Sequence, residues 1–140
     1  MSYTDQYAFR PTGSTAAVVA LLQSVTELLS YNPYVVVIAL DFTKAFDSVR
    51  HSTLLHKMAS MNLPDEVYNW LVDFFAGRSH STRLSGITSE LLDISVSIIQ
   101  GSVVGPASYV VNAADLITVT VGNVIFKYAC LLYTSPSPRD

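Results

Sequence analysis

Residues 35–40 read VVVIAL, six apolar side chains in succession, and the next residue is an acid, Asp41. β-Branched residues dominate the run, and Tyr34 to Asp41 is too short for an ordinary helix, so YVVVIALD predicts a strand covered on both faces at the middle of a sheet. The carboxylate at its end has two readings. Either the strand stops there and the acid caps a helix over 42–49 or points to water, or it is a hard oxygen ligand on a rigid support, suited to Mg2+ held by one or two carboxylates plus substrate phosphates. Asp41 alone does not separate them. Asp47 lies ahead of a further helix, where an acid is favourable beside the N-terminus, and reads as local structure.

The flanking sequence sets this strand in an α+β pattern. STAAVVALLQSVTELLS (14–30) repeats apolar residues at helical spacing behind a Ser14 or Thr15 cap, and Asn32-Pro33 stops it. A short helix is expected over 52–61. Pro64 then opens an amphipathic helix, DEVYNWLVDFFAG, that Gly77 closes. Residues 79–86 and 90–98 read as two strands of a hairpin joined by a Gly/Thr/Ser turn. QGSVVGP (100–106) is a glycine-punctuated loop before a helix over about 106–118, and VIFKYA leads a second apolar strand over 123–129. Strands 34–41 and 123–129 both have the character of sheet centres. CLLYTSPSPRD (130–140) has Ser-Pro-Ser-Pro and no hydrophobic period, and is expected to be an unrelated, disordered tail.

Composition narrows the function classes. Half of the residues are hydrophobic and only 14% are charged, which excludes a disordered or solvating chain. A net charge of −3 with eight Lys plus Arg counts against a self-sufficient nucleic-acid module, because phosphate contacts supply most of such affinity. A single cysteine, Cys130, allows no internal disulfide and no cysteine-rich zinc site. The N-terminus lacks the basic and apolar regions of a signal peptide, and no apolar run reaches membrane-helix length, so a soluble intracellular setting, cytoplasmic or nuclear, is expected.

Other segments carry chemistry only weakly. Glycines at 101 and 105 allow special backbone conformations and close approach to a ligand, although an ordinary turn into a helix explains them as well. No GK[ST] follows, so the loop is not a P-loop. Arg10, ahead of a capped helix start, could serve an anion site. Trp70, Phe74 and Phe75 at helical spacing read as core.

Taken in order, these blocks closely resemble reverse transcriptases of non-LTR (LINE-like) retrotransposons. The family's QxGFRxGxST stands here as QYAFRPTGST, with Ala8 for the usual glycine, and LDFSKAFDxVxH as LDFTKAFDSVRH. FFAGRSHSTRLSG matches the arginine-bearing stretch that follows. GVPQGSxLGPxLFxxYxNDL stands as SIIQGSVVGPASYVVNAADL, and the strand into the family's YADD turn begins as VIFKYA. The similarity covers about residues 5–129. It implies a fragment of a polymerase palm, an antiparallel sheet backed by helices, with part of the fingers.

By that resemblance, Asp41 is a catalytic metal ligand and the Phe42 carbonyl a lesser one. Two Mg2+ ions activate the primer 3′-hydroxyl and neutralise the incoming triphosphate. Phe46 lies under the sugar and disfavours ribonucleotides, Gln100 and Gly101 touch nucleotide and template, and Arg10 belongs with the fingers and template. RNA template, DNA primer and dNTPs are the implied partners, with no membrane. Cys130-Leu131 stand where the YADD aspartates belong, so two Mg2+ ions cannot be held and the chain is expected to be catalytically dead. A junction at 129/130 explains the abrupt loss of similarity better than gradual decay. The sheet is then expected to lack its last hairpin partner and the fold to be marginal. The alternative is a non-catalytic remnant that binds nucleic acid or protein.

Overall fold

The computed structural model describes residues 3–11, 13–120 and 122–135, and its element order confirms an α+β fold with antiparallel sheets. The chain divides into two compact units, one formed by the chain up to Ala45 and from Ala113 onward, the other by Phe46–Asn112.

The first unit holds helix α1 (Gly13–Leu29) and a three-stranded sheet of β1 (Ile38–Asp41), β6 (Val124–Tyr128) and β7 (Leu131–Ser135). Their spatial order is β1-β7-β6, so β7 is the central strand. It runs antiparallel to both neighbours, with Asp41 opposite Leu131 and Tyr128 also opposite Leu131. α1 packs on β6. Gly13 has no substitute at the start of α1, because a Cβ there would collide with the Tyr7 carbonyl oxygen.

Two expectations are corrected here. The stretch after Ala129 is not structureless: Leu131–Ser135 pair along their whole length, and Leu132 is only 6% exposed. LLYT supplies two aliphatic residues, an aromatic and a β-branched residue, all suited to a strand, while the prolines begin only at 136. The sheet therefore has the hairpin partner it was expected to lack. The second correction concerns 34–41. Only Ile38–Asp41 form a strand, at the edge of the sheet, and all four residues are exposed, Leu40 by 51%. Its apolar run reflects a surface that the described residues leave uncovered. Residues 136–140 of the expected tail lie outside the described residues.

A segment ahead of α1 lies along β6. The Lys127 N–H donates to the Asp5 carbonyl (2.8 Å) and the Tyr7 N–H to the Lys127 carbonyl (2.9 Å), with Gln6 bridged in parallel to Lys127. The Lys127 ammonium is 1% exposed and lies 2.9 Å from the Asp5 carboxylate, which satisfies a charge that could not be buried alone. It also donates to the Ala113 carbonyl at 3.2 Å.

The second unit gathers α2 (His51–Ala59), α3 (Asp65–Phe75) and α4 (Val104–Asn112), with α2 packed on both other helices. Leu54, fully buried on α2, and Met58, Leu71, Phe75 and Ile98 form its core. No helix forms over 42–49; the backbone there is a series of turns. The expected hairpin is present with a different turn. β2 (Ser79–His80) pairs with β5 (Leu92–Asp93), and inside it β3 (Arg83–Leu84) pairs with β4 (Ile87–Thr88). The inner pair turns on Ser85-Gly86, both at positive φ (50° and 84°), as a type I′ turn requires.

Candidate functional site

The ladder register brings Asp41 to the tip of the β6–β7 hairpin. β6 ends at Tyr128, Ala129 and Cys130 make the turn, and β7 starts at Leu131, the partner of Asp41 across the β1–β7 pair. The Phe42 N–H reaches the Cys130 carbonyl at 3.4 Å, which ties the end of β1 to the turn. Ala129 has a positive φ (51°) and Cys130 does not, so the first central residue of the turn holds a conformation that favours glycine.

The side chains at this tip decide its chemistry. Burial raises the Cys130 thiol pKa, and the neighbouring Asp41 carboxylate raises it further, both through a side-chain hydrogen bond and through its charge. The thiol therefore stays protonated and uncharged beside Asp41. Leu131, on the other side, offers no ligand atom. Among the described residues no group of three or more His, Cys, Asp or Glu could hold a metal ion. One carboxylate beside a neutral thiol and a leucine does not fit a pair of Mg2+ ions, which need several hard oxygen donors.

Phe46, Gln100 and Gly101 belong to the second unit. The half-buried Phe46 ring stacks on Tyr109, with centroids 4.6 Å apart and planes at 26°. The Phe46 carbonyl accepts from the Ile98 N–H at 2.8 Å, so ring and backbone are both held. Gln100 donates through Nε2 to the Asp47 carboxylate at 3.2 Å on an exposed surface. Gly101 sits at φ +78° with open space where a Cβ would project, so the backbone conformation and not a close neighbour requires glycine. Arg10, in the first unit, is exposed and donates to the Tyr3 carbonyl. Phe42 is exposed beside Asp41.

Sequence reading assigned no site role to Asp47, Tyr109 or Gln6. The signals were faint. Asp47 and Gln100 lie far apart in the chain, and Tyr109 reads as one more apolar position on a helix. Gln6 opens the QYAFRP block, and nothing in that string says that its amide is buried.

Comparison with known proteins settles the family. The family model described as "Reverse transcriptase (RNA-dependent DNA polymerase)" matches residues 2–132, which includes the hairpin turn and the first residues of β7. The "RNA-directed DNA polymerase from mobile element jockey" of Drosophila melanogaster is 35% identical over 94 residues, 67% of this chain and 10% of that protein. The protein of the same name from Drosophila funebris is 36% identical over 77 residues, 55% of this chain and 8% of that protein. The chain thus spans about a tenth of the length of these curated relatives. With the strand-end acid, the hairpin beside it and the family match over nearly the whole chain, this protein belongs to the reverse transcriptase family, in the branch carried by non-LTR mobile elements.

Proposed function

We propose that this chain is part of the palm and fingers of a polymerase that extends a DNA primer on an RNA template with dNTPs and Mg2+, and that as it stands it performs no nucleotidyl transfer. The observation that supports this reading is the strand order β1-β7-β6, which sets Asp41 against the hairpin turn. In the intact polymerase Asp41 would hold metal, with the Phe42 carbonyl as a lesser ligand. Phe46 would disfavour ribonucleotides, Gln100 and Gly101 would contact nucleotide and template, and Arg10 would serve the template strand. A polymerase part up to Ala129, joined to a tail of other origin, belongs to the same proposal.

Chimaeras of a full-length family polymerase test this reading. Replacing its equivalent stretch with residues 3–129 of this chain preserves primer extension, and Asp41→Asn in that chimaera abolishes it. Carrying the replacement through Leu131 abolishes it as well. Full extension by the chimaera that contains Cys130 and Leu131 would refute the claim of inactivity. Full extension by the Asp41→Asn chimaera would remove Asp41 from the site.

A second reading, a non-catalytic remnant that binds a protein, draws on exposed apolar side chains of α1 and of 36–42, among them Val18, Leu22, Val37 and Leu40. Sedimentation of the purified chain tests this surface with the chain as its own partner: dimers or larger species that dissociate when Leu22 or Leu40 is replaced by Asp would support the remnant reading.

A further inference from the structure

Gln6 is 3% exposed, and its carboxamide oxygen accepts two backbone hydrogen bonds, from the Ala8 N–H at 3.0 Å and from the Ala129 N–H at 3.2 Å. Both partners can only donate, so the oxygen must face them, and the amide orientation is determined by chemistry. Ala129 and Gln6 are 123 residues apart in the chain. The Ala129 backbone, at φ 51°, occupies a conformation that a residue with a Cβ adopts only under strain. A strained turn residue thus has its one N–H held by a buried side chain from another segment.

The supports around this bond converge on the same turn. Asp5, Gln6 and Tyr7 run along β6 through two backbone hydrogen bonds to Lys127, which places the Gln6 side chain beside the strand end. The Asp5–Lys127 ion pair and the Tyr7–Phe126 ring contact, with centroids 6.1 Å apart, hold that segment in register. On the other side of the turn, the Phe42 N–H reaches the Cys130 carbonyl. Gln6 and the end of β1 grip the two central residues of the turn from opposite sides.

We propose that Gln6 is a positioning residue for the β6–β7 turn: its carboxamide oxygen stabilises the left-handed conformation at Ala129 and so sets the turn in place beside Asp41. The importance of that turn for polymerisation rests on the function proposed above; the hydrogen bond and its effect on the turn do not. The buried Gln6 Nε2 has no hydrogen-bond partner. The role therefore resides in the oxygen, and Gln6→Met, of similar length, removes it.

The test is amide hydrogen exchange on the isotopically labelled full chain. In the parent, the Ala129 N–H exchanges about tenfold or more slower than an open turn amide, the factor that corresponds to one net hydrogen bond. Gln6→Met removes this protection at Ala129 and Ala8 while the Phe126 and Lys127 amides stay protected. Loss spread evenly over β6 and β7 would mean that Gln6 merely stabilises the unit, and would overturn the proposal. Undiminished protection in Gln6→Met would overturn it too. Should that variant fail to fold, the parent chain decides: a scalar coupling across the hydrogen bond between the Ala129 nitrogen and the Gln6 side-chain carbonyl carbon is expected, and its absence is fatal. These readouts need no polymerase activity, so failure of the chimaeras leaves them standing and their failure leaves the chimaeras standing.

Discussion

Asp41 on β1 and Leu131 on β7 are direct partners in an antiparallel ladder, so their side chains leave the same face of the sheet with Cβ atoms roughly 5 Å apart. A branched hydrocarbon therefore faces the strand-end carboxylate, and the Cys130 thiol next to it is held in its neutral form. Two substitutable side chains, on a turn that the backbone builds in full, separate this tip from a cluster of hard ligands.

Mg2+ should consequently leave the chain unaffected. A ligand bound only by the folded state stabilises it by RT ln(1 + [L]/Kd), about 2.7 kcal/mol at one hundred times Kd. Thermal melting with and without millimolar MgCl2 is expected to give one and the same Tm. A dose-dependent rise that Asp41→Asn removes would show that the tip holds the ion after all.

The Cys130 thiol gives the tip a pH signature. Its pKa in the folded chain is raised, first by burial and then by Asp41. The fold thus binds this proton more tightly than the unfolded chain does. That contribution to stability is complete below the ordinary thiol value of 9.0 and is lost as pH rises above it through the folded value. Asp41→Asn removes the charge but not the burial, so the midpoint of the iodoacetamide rate profile moves part of the way down. Identical midpoints in the two proteins would remove Asp41 from the thiol's surroundings.

Leu132 carries the inner face of the central strand. Leu132→Ala should destabilise the unit containing β1, β6 and β7 by about 2–5 kcal/mol, the usual range for a buried leucine. Denaturant unfolding followed by amide exchange would locate the loss in β1, β6 and β7. A change below about 0.5 kcal/mol, typical of surface sites, would mean that β7 does not hold the sheet together.

At the other edge, Lys127 and Asp5 should respond unequally. Asp5→Asn leaves an ammonium that is 1% exposed without its counter-charge, at a cost of about 3 kcal/mol, near the low end for broken buried pairs because Asp5 is partly exposed. Lys127→Met leaves a carboxylate that can turn toward water and should cost less. Urea midpoints of the two variants check the order, and equal or reversed losses would show that the pair is not held by charge.

Ala129→Gly should raise Tm. Glycine adopts positive φ without the Cβ penalty, so a gain of up to about 1 kcal/mol is expected after its greater chain entropy is deducted. A fall in Tm would mean that the Ala129 methyl makes a contact worth more than the strain.

Local order was legible in the chain. Helical spacing placed α1, α3 and, within a few residues, α2, whereas α4 ends at Asn112, six residues before the expected end at 118; the block order identified the family. Pairing was not legible. The apolar run at 35–40 predicted a sheet centre, yet β1 is an exposed edge. Serine and proline after 134 drew attention away from LLYT, which is the central strand. In both cases the error lay in inferring a strand's neighbours from its own composition.

Amino-acid order by itself determined where α1, α2 and α3 coil and that an acid ends one strand, because caps, breakers and periodicity act over a few residues. Only the tertiary structure decided that Leu131 faces Asp41, that Cys130 is kept neutral beside it, and that Gln6 reaches Ala129. Those relationships join residues about ninety to 123 positions apart through ladder register and a buried amide. Register is set by how whole faces pack, and no local string of residues encodes it.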